Sequence, residues 1–300
     1  MKQITTICAY LFLFAFILAA QVDPLPVPPG RMVDIGGRRL HLNCSGQGSP
    51  TVVLDAGLGD SSLAWTFVQT KLAVTNRVCA YDRAGTAWSH DAGPQHGLSK
   101  AAEDLDRLLK ASGEHAPYVL VGHSWGGWLV TVYARRHMKN VAGIVLVDSS
   151  VGFDPPVIEK MPDSVAGGPP SGPIMIKKAT EEDDDPFKRL PPESYRAYRW
   201  TQSLVRLPDV DDPYEPLTTV QSATRGNFPL ENKPLILIAA RHGEDLGDDT
   251  DKGKTIRSRI LSLSHSSKLL YADSGHYVHL EKPEIVVAAV HEVVDKTRRH

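Results

Sequence analysis

Short runs of apolar residues recur along this chain and alternate with segments of helical periodicity. Within each run nearly every position is apolar, rather than every second one. Strands of this kind are covered on both faces, which is typical of the central strands of a parallel sheet. The runs are residues 51–55, 77–81, 118–121, 143–147, 235–239 and 268–271.

Amphipathic segments separate these runs. Residues 99–112 place Ala and Leu on one helical face and are followed by Gly113, a common helix stop. Residues 283–296 begin with Pro and an acidic residue and end near Lys and Arg, as helices do. Residues 32–35 and 39–43 flank two glycines and predict a β-hairpin. Strands that alternate with helices predict an α/β fold with a doubly wound, mostly parallel sheet.

The charge balance excludes several classes of function. The chain carries 33 Lys and Arg against 35 Asp and Glu, for a formal net charge of −2. This balance argues against a nucleic-acid partner held by phosphate contacts and against a polybasic membrane-surface protein. The three cysteines form no CxxC or Cys/His cluster, so we predict no metal and no cofactor.

The first twenty residues differ from the rest of the chain. Lys2 precedes an uncharged apolar run that ends at Ala19 and Ala20, and a Pro-rich stretch follows. This pattern predicts a secretory signal peptide over residues 1–20 and a secreted or periplasmic protein without stable membrane association. An uncleaved membrane anchor is the alternative, because the run reaches the lower end of the spanning length.

Residues 149–234 interrupt the alternation of strands and helices. This segment is rich in Pro, contains an acidic run and has one clear helical stretch, at residues 193–207. We predict a mainly helical cap, inserted between core segments 21–148 and 235–300. Such a cap would cover the carboxyl edge of the sheet, where ligands of open α/β folds bind.

Residues 122–127, Gly-His-Ser-Trp-Gly-Gly, directly follow one of the apolar runs and precede a helical segment. A G-x-S-x-G sequence in a strand–turn–helix context predicts a tight turn that exposes the serine hydroxyl. The flanking glycines fit because a Cβ there would collide with the neighbouring strand or helix. Ser124 is therefore the candidate nucleophile.

These features resemble the α/β-hydrolase family over nearly all of the mature chain apart from the cap. Residues 51–59 (TVVLDAGLG) are similar to the family's third strand and oxyanion loop, with Ala-Gly in place of the common His-Gly. Residues 81–89 (YDRAGTAWS) are similar to its loop after the fourth strand, and residues 274–284 (SGHYVHLEKPE) to its late histidine loop. The resemblance implies a sheet of about eight strands.

The resemblance also implies the partners of Ser124. A serine needs a neighbouring base, and His276 occupies the family's histidine position. His279 is expected to point elsewhere, and His123, beside the nucleophile, is expected to pack or to line the pocket. The family's acid usually follows the seventh strand, which favours Asp245. Three alternatives remain open: Glu244 and Asp248 in the same loop, and Asp148 at the tip of the sixth strand.

Two further assignments come from the family's fold. The backbone N–H groups of Leu58 and Trp125 correspond to the oxyanion hole. The second and fourth strands are neighbours in this fold, so Cys44 and Cys79 are expected to form a disulfide in an oxidising compartment. Two buried free thiols are the alternative.

Together these observations predict a serine hydrolase that cleaves a small carboxylic ester through an acyl-enzyme. The same machinery serves amides, lactones and N-terminal prolyl peptides, so these substrates remain open. Epoxide hydrolases and haloalkane dehalogenases of this fold use an aspartate nucleophile, which Ser124 disfavours. A non-catalytic binding protein is the alternative from another class. The oligomeric state is not encoded in any recognisable pattern.

Overall fold

An eight-stranded sheet organises the molecule, with strand order β1-β2-β4-β3-β5-β6-β7-β8. The computed structural model describes residues 26–91, 97–149, 186–203, 215–226, 229–243, 246–247 and 250–298. The predicted signal peptide and much of the predicted cap lie outside these residues. β1 pairs with β2, and β2 with β4, in antiparallel fashion. The other six strands, β3 to β8, are parallel to one another. The predicted fold class is confirmed.

The strands coincide with the apolar runs of the sequence. Each run forms a strand: four extend by one or two residues, and the run 77–81 forms a strand that is one residue shorter. The bounds are β1 Arg31–Asp34, β2 Arg39–Ser45, β3 Thr51–Asp55, β4 Val78–Tyr81, β5 Tyr118–His123, β6 Val141–Val147, β7 Leu235–Ala240 and β8 Ser267–Ala272. The predicted hairpin joins β1 to β2, and its glycines Gly36 and Gly37 have φ of +94° and +91°, a conformation that residues with a Cβ rarely adopt.

Helices cover both faces of the sheet. Their bounds are α1 Thr66–Leu72, α2 Leu98–Ser112, α3 Trp125–Arg136, α4 Pro192–Ser203, α5 Glu215–Thr224, α6 Asp251–Leu261, α7 Val278–Glu281 and α8 Pro283–Arg298. The buried residues of α2, α3 and α6 belong to one apolar cluster, and those of α1 and α8 to another. No helix in the described part of the chain is both long and apolar enough to cross a membrane.

The two clusters lie on opposite faces of the strands. Along β3, Val53 joins the cluster of α2 and α3, whereas Val52 and Leu54 join the cluster of α1 and α8. Successive strand side chains point to opposite faces, so both must be apolar when helices cover both. This explains why the strands read as continuous apolar runs.

The described parts of residues 149–234 contact two different regions. In α4, Gln202 donates to the carbonyl of Gly59 at 3.1 Å, and Trp200 lies 5.7 Å from Trp88 between ring centroids. Both partners belong to loops that follow the carboxyl ends of β3 and β4. α5 instead packs on α2 and α3. The extent of the segment as a cap therefore stays a prediction.

Candidate active site

Ser124 lies at the sharp turn between β5 and α3. Its φ of +50° is a strained conformation for a residue with a side chain. The flanking glycines permit it: a Cβ on Gly122 would lie 2.5 Å from the carbonyl oxygen of Gly126. A Cβ on Gly126 would lie 2.5 Å from the carbonyl oxygens of Asp55 and Ala56. The steric reason predicted for these two glycines is thus confirmed.

Hydrogen bonds to β6, to the residue two positions after it and to the first turn of α3 hold the turn in place. The Ser124 N–H donates to the carbonyl of Val147 at 3.1 Å. The Ser124 carbonyl accepts from the Gly127 N–H at 3.0 Å and from the Ser149 hydroxyl at 2.7 Å. These bonds fix the strained backbone on both sides of Cα, and the serine side chain remains partly exposed.

His276 follows β8 at the same edge of the sheet, and its ring is held by Asp148. The ring Nδ1 lies 2.7 Å from Asp148 Oδ2. The other carboxylate oxygen, Oδ1, accepts the Ala240 N–H at 2.9 Å. The Asp148 side chain is only 4% exposed, whereas that of His276 is 40% exposed. A buried acid therefore orients an accessible imidazole.

Asp148, whose carboxylate binds the His276 ring, is one of the alternatives that the sequence left open. Asp245, together with Glu244 and Asp248, lies outside the described residues. The described start of their loop follows β7, and a Cβ on Gly243 would lie 2.7 Å from Asp148 Oδ2. Among the described residues, the carboxylate at Nδ1 of His276 is that of Asp148, which directly follows β6, and the assignment of Asp245 stays a prediction.

His123 and His279 are buried, uncharged rings behind the sheet edge that carries Ser124 and His276. The Nε2 of His123 is 3.0 Å from the His276 carbonyl oxygen, so this nitrogen carries the proton. Burial, with smaller contributions from His279 and His276, holds the pKa of His123 well below its ordinary value. Burial likewise lowers the pKa of His279 to about 3. His123 thus supports the backbone of His276, a role that the sequence did not indicate.

The expected oxyanion loop turns sharply after β3. The Asp60 N–H donates to the Gly57 carbonyl at 3.2 Å, and the Leu58 side chain at the turn is 51% exposed. Trp125 is the first residue of α3, where backbone N–H groups lack partners within the helix. Burial raises the pKa of Asp60 to about 7, and Arg83 and His276 offset part of that rise.

Cys44 and Cys79 form the expected pair. They are direct partners across β2 and β4, with a Cα–Cα distance of 4.0 Å and an S–S bond of 2.05 Å. In the described part of the chain, the one cluster with metal-ligand spacing is Cys44, Cys79 and Glu114. Its two sulfur atoms are joined in the disulfide, so this cluster is not a metal site.

Comparisons with known proteins agree with this architecture. A sequence profile described as "Alpha/beta hydrolase family" matches residues 52–289. The uncharacterized protein YqjL of Bacillus subtilis is 24% identical over 83% of this chain and 85% of its own. A probable transporter, efuK, of Hormonema carpetanum is 35% identical, but the match covers 42% of this chain and 19% of that protein.

Solved structures share the fold. An esterase from Thermogutta terrifontis aligns with a TM-score of 0.60 and 22% identity over 87% of this chain and 94% of that chain. The haloalkane dehalogenase DatA from Agrobacterium tumefaciens C58 aligns with a TM-score of 0.66 and 19% identity, over 88% of this chain and 96% of that chain. Identities this low establish the fold and leave the reaction to the site itself.

Proposed function

Because the chain belongs to the α/β-hydrolase family, we propose that it is a serine hydrolase that cleaves small carboxylic esters through an acyl-enzyme. The observation that carries this proposal is the strained turn of Ser124 at the sheet edge that also carries the His276–Asp148 pair. Serine at this turn favours acyl transfer over the aspartate-based reactions of epoxide hydrolases and dehalogenases of this fold.

The roles follow from the chemistry of acyl transfer. Ser124 Oγ attacks the ester carbonyl while His276 accepts its proton and then delivers it to the leaving alcohol. Asp148 holds Nδ1–H toward itself and stabilises the imidazolium, the role that the sequence assigned to Asp245. The N–H groups of Leu58 and Trp125 bind the oxyanion. Water, activated by His276, then hydrolyses the acyl-enzyme.

Active-site labelling tests this proposal. A fluorophosphonate probe should label the wild-type protein and fail to label Ser124→Ala. Ser262→Ala, which changes an exposed serine at the end of α6, should retain labelling. A folded wild-type protein that resists the probe would end the enzyme interpretation and favour a binding protein on this scaffold. A panel of esters with matched amides and lactones would then define the bond that is cleaved.

We further propose that the protein is exported and acts on a small-molecule substrate, without a nucleic-acid partner or a stable membrane association. The N-terminal pattern supports export, and the Cys44–Cys79 bond suits an oxidising compartment. Cell fractionation and N-terminal sequencing of the mature protein test it. A soluble exported form that begins near Gln21 is expected, and a membrane-bound form that retains residues 1–20 would support the anchor.

A further inference from the structure

The Arg83 side chain reaches from the loop after β4 to the expected oxyanion loop. Its Nη1 donates to the Ala56 carbonyl at 2.6 Å and to Asp55 Oδ1 at 2.5 Å, and its Nη2 donates to the Gly57 carbonyl. The side chain is 10% exposed. One guanidinium group therefore binds two consecutive carbonyl groups of the same loop.

Arg83 and the Asp60 N–H both donate to the Gly57 carbonyl, and together these bonds fix the direction of the neighbouring N–H. The Gly57 carbonyl and the Leu58 N–H belong to one planar trans peptide, so they point in opposite directions. When Arg83 holds the carbonyl on one side, the Leu58 N–H must face the other. The hydrogen bond also polarises the peptide, which makes that N–H a stronger donor.

The same guanidinium contacts the residue that carries the second expected donor. The Arg83 Cζ lies 4.8 Å from the centre of the Trp125 ring. This distance is within the range of cation–π contacts. Leu58 and Trp125 lie on separate elements, the loop after β3 and the start of α3, and Arg83 bridges both.

Charge neutralisation of Asp55 alone does not require this geometry. Asp55 is 1% exposed, and a lysine ammonium in place of the guanidinium could balance its charge equally well. Lysine is a point charge on a flexible stem, whereas the planar fork of arginine can bind several acceptors at fixed angles. Arg83 uses that fork on three acceptors from consecutive residues, Asp55, Ala56 and Gly57.

We propose that Arg83 is a positioning residue for the oxyanion hole: it orients the Gly57–Leu58 peptide and braces Trp125, so that both N–H groups converge on the developing oxyanion. This inference rests on the proposed serine hydrolase function. Arg83 does not touch the reacting atoms, and its contribution is made through the backbone donors. It therefore acts in the transition state far more than in ground-state binding.

The test replaces Arg83 by Lys, which retains the charge beside Asp55 and loses the fork. We expect kcat for the best ester of the panel to fall between about 10-fold and 100-fold, with KM within about twofold, since removing one oxyanion donor outright costs about 10²–10³ in kcat. A trifluoromethyl ketone, which forms a tetrahedral oxyanion on the serine, should bind more weakly by a similar factor. Inhibition by the product carboxylate should be unchanged.

The matched control is Arg77→Lys. Arg77 immediately precedes β4 and binds Glu114 through two nitrogens, so its replacement also breaks a partly buried arginine–carboxylate pair, away from the oxyanion loop. It should leave kcat and ketone inhibition near wild type. In Arg83→Ala, added guanidinium should restore part of kcat together with part of the ketone inhibition.

The outcomes separate the two proposals. If the wild-type protein hydrolyses esters and Arg83→Lys matches Arg77→Lys in kcat and in ketone inhibition, the role of Arg83 is refuted while the hydrolase function stands. A fall in kcat with equal losses of ketone and product-carboxylate inhibition would also refute it. If the folded wild-type protein neither reacts with fluorophosphonate nor hydrolyses any ester, both proposals fail.

Discussion

Both the backbone and the carboxylate of Asp148 are held in place by neighbouring groups. Its backbone has φ of +42°, unusual for a residue with a side chain, and its N–H donates to the Ile238 carbonyl at 2.8 Å. Both carboxylate oxygens are engaged, one by the Ala240 N–H and one by His276. The bonds to β7 fix the carboxylate before substrate arrives, so the histidine ring is pre-oriented. This arrangement makes Asp148 the strongest candidate for the acid.

Parallel replacements should distinguish the two candidate acids. Asp148→Asn should lower kcat by about 10⁴-fold with the fold retained, because an amide no longer holds the required tautomer or stabilises the imidazolium. Asp245→Asn should stay within a few-fold of wild type. Steady-state ester hydrolysis measures both, with circular dichroism as the control for folding. A collapse confined to Asp245→Asn would restore the original assignment.

The buried ring of His279 should make the protein less stable in acid. Neither ring nitrogen has a hydrogen-bond partner among the described residues, so a charge there would be unpaired. Its pKa of about 3 in the folded state lies below the ordinary value of 6.5. The unfolded chain therefore binds the extra proton between these values, and stability falls as pH falls through this window.

His279→Phe isolates this effect. Phe keeps a ring against Trp65, whose centroid lies 4.5 Å from that of His279, and cannot take a proton. Below pH 6.5 the unfolding free energy of the variant should gain on wild type by about 1.4 kcal/mol per pH unit. Denaturant unfolding at several pH values measures this difference, in which titrating groups remote from His279 cancel. Parallel stability curves would contradict the prediction.

The partner of His276 and the role of Arg83 are not settled by the sequence, for one physical reason. The position of Ser124 follows from a strand–turn–helix pattern, which is local, and that of His276 from the resemblance of residues 274–284 to the family's late histidine loop. The partner of His276 depends on which acid the loops after β6 and β7 bring to the ring. The role of Arg83 depends on where a long side chain points after a loop. Neither property leaves a local pattern in the sequence.

At the scale of elements, the antiparallel strand β2 is the part of the sheet that the disulfide secures. β2 pairs with β4 through four residue positions, and the Cys44–Cys79 bond lies within that register. β4 ends at Tyr81, and Arg83 lies two residues beyond it; both side chains bind Asp55 at the end of β3. The strand that the disulfide joins to β2 is therefore the same strand whose carboxyl end holds Asp55 beside the candidate site.

Removal of this disulfide should lower stability. The bond closes a loop with a sequence separation of 35 residues, and loop entropy predicts a loss of about 3–4 kcal/mol in unfolding free energy for Cys44→Ala/Cys79→Ala. Chemical denaturation of the double variant against the wild type measures the loss. Reductant should destabilise the wild type and leave the variant unchanged. Equal unfolding midpoints of variant and wild type would show that the bond contributes no stability.

At the scale of the whole molecule, the parallel arrangement gathers the chemistry at one edge. The loops after β3, β5, β6 and β8 supply Leu58, Ser124, Asp148 and His276, and all four strands end at the same side. The alternation of strands and helices predicts this convergence, because parallel strands present their carboxyl ends together. What covers that edge is a separate question, which the apolar pattern does not answer.

The contacts of α4 allow a test of whether this helix covers the carboxyl edge of the sheet. Trp200 and Gln202 contact the loops after β3 and β4, so α4 lies beside the edge where a substrate acyl chain would enter. If this helix is part of a cap, Trp200→Ala should change kcat/KM for a long-chain ester at least fivefold relative to the acetate ester. The loss of the indole removes apolar surface that only the longer chain reaches.

Arg199→Ala on the exposed side of the same helix is the control, and it should leave this ratio unchanged. Hydrolysis rates of matched acetate and octanoate esters give the ratio directly, independent of the amount of active protein. A Trp200→Ala variant that loses activity equally on both esters would place the indole in the support of the site rather than in substrate selection. The boundaries of the cap would then have to be sought in other parts of residues 149–234.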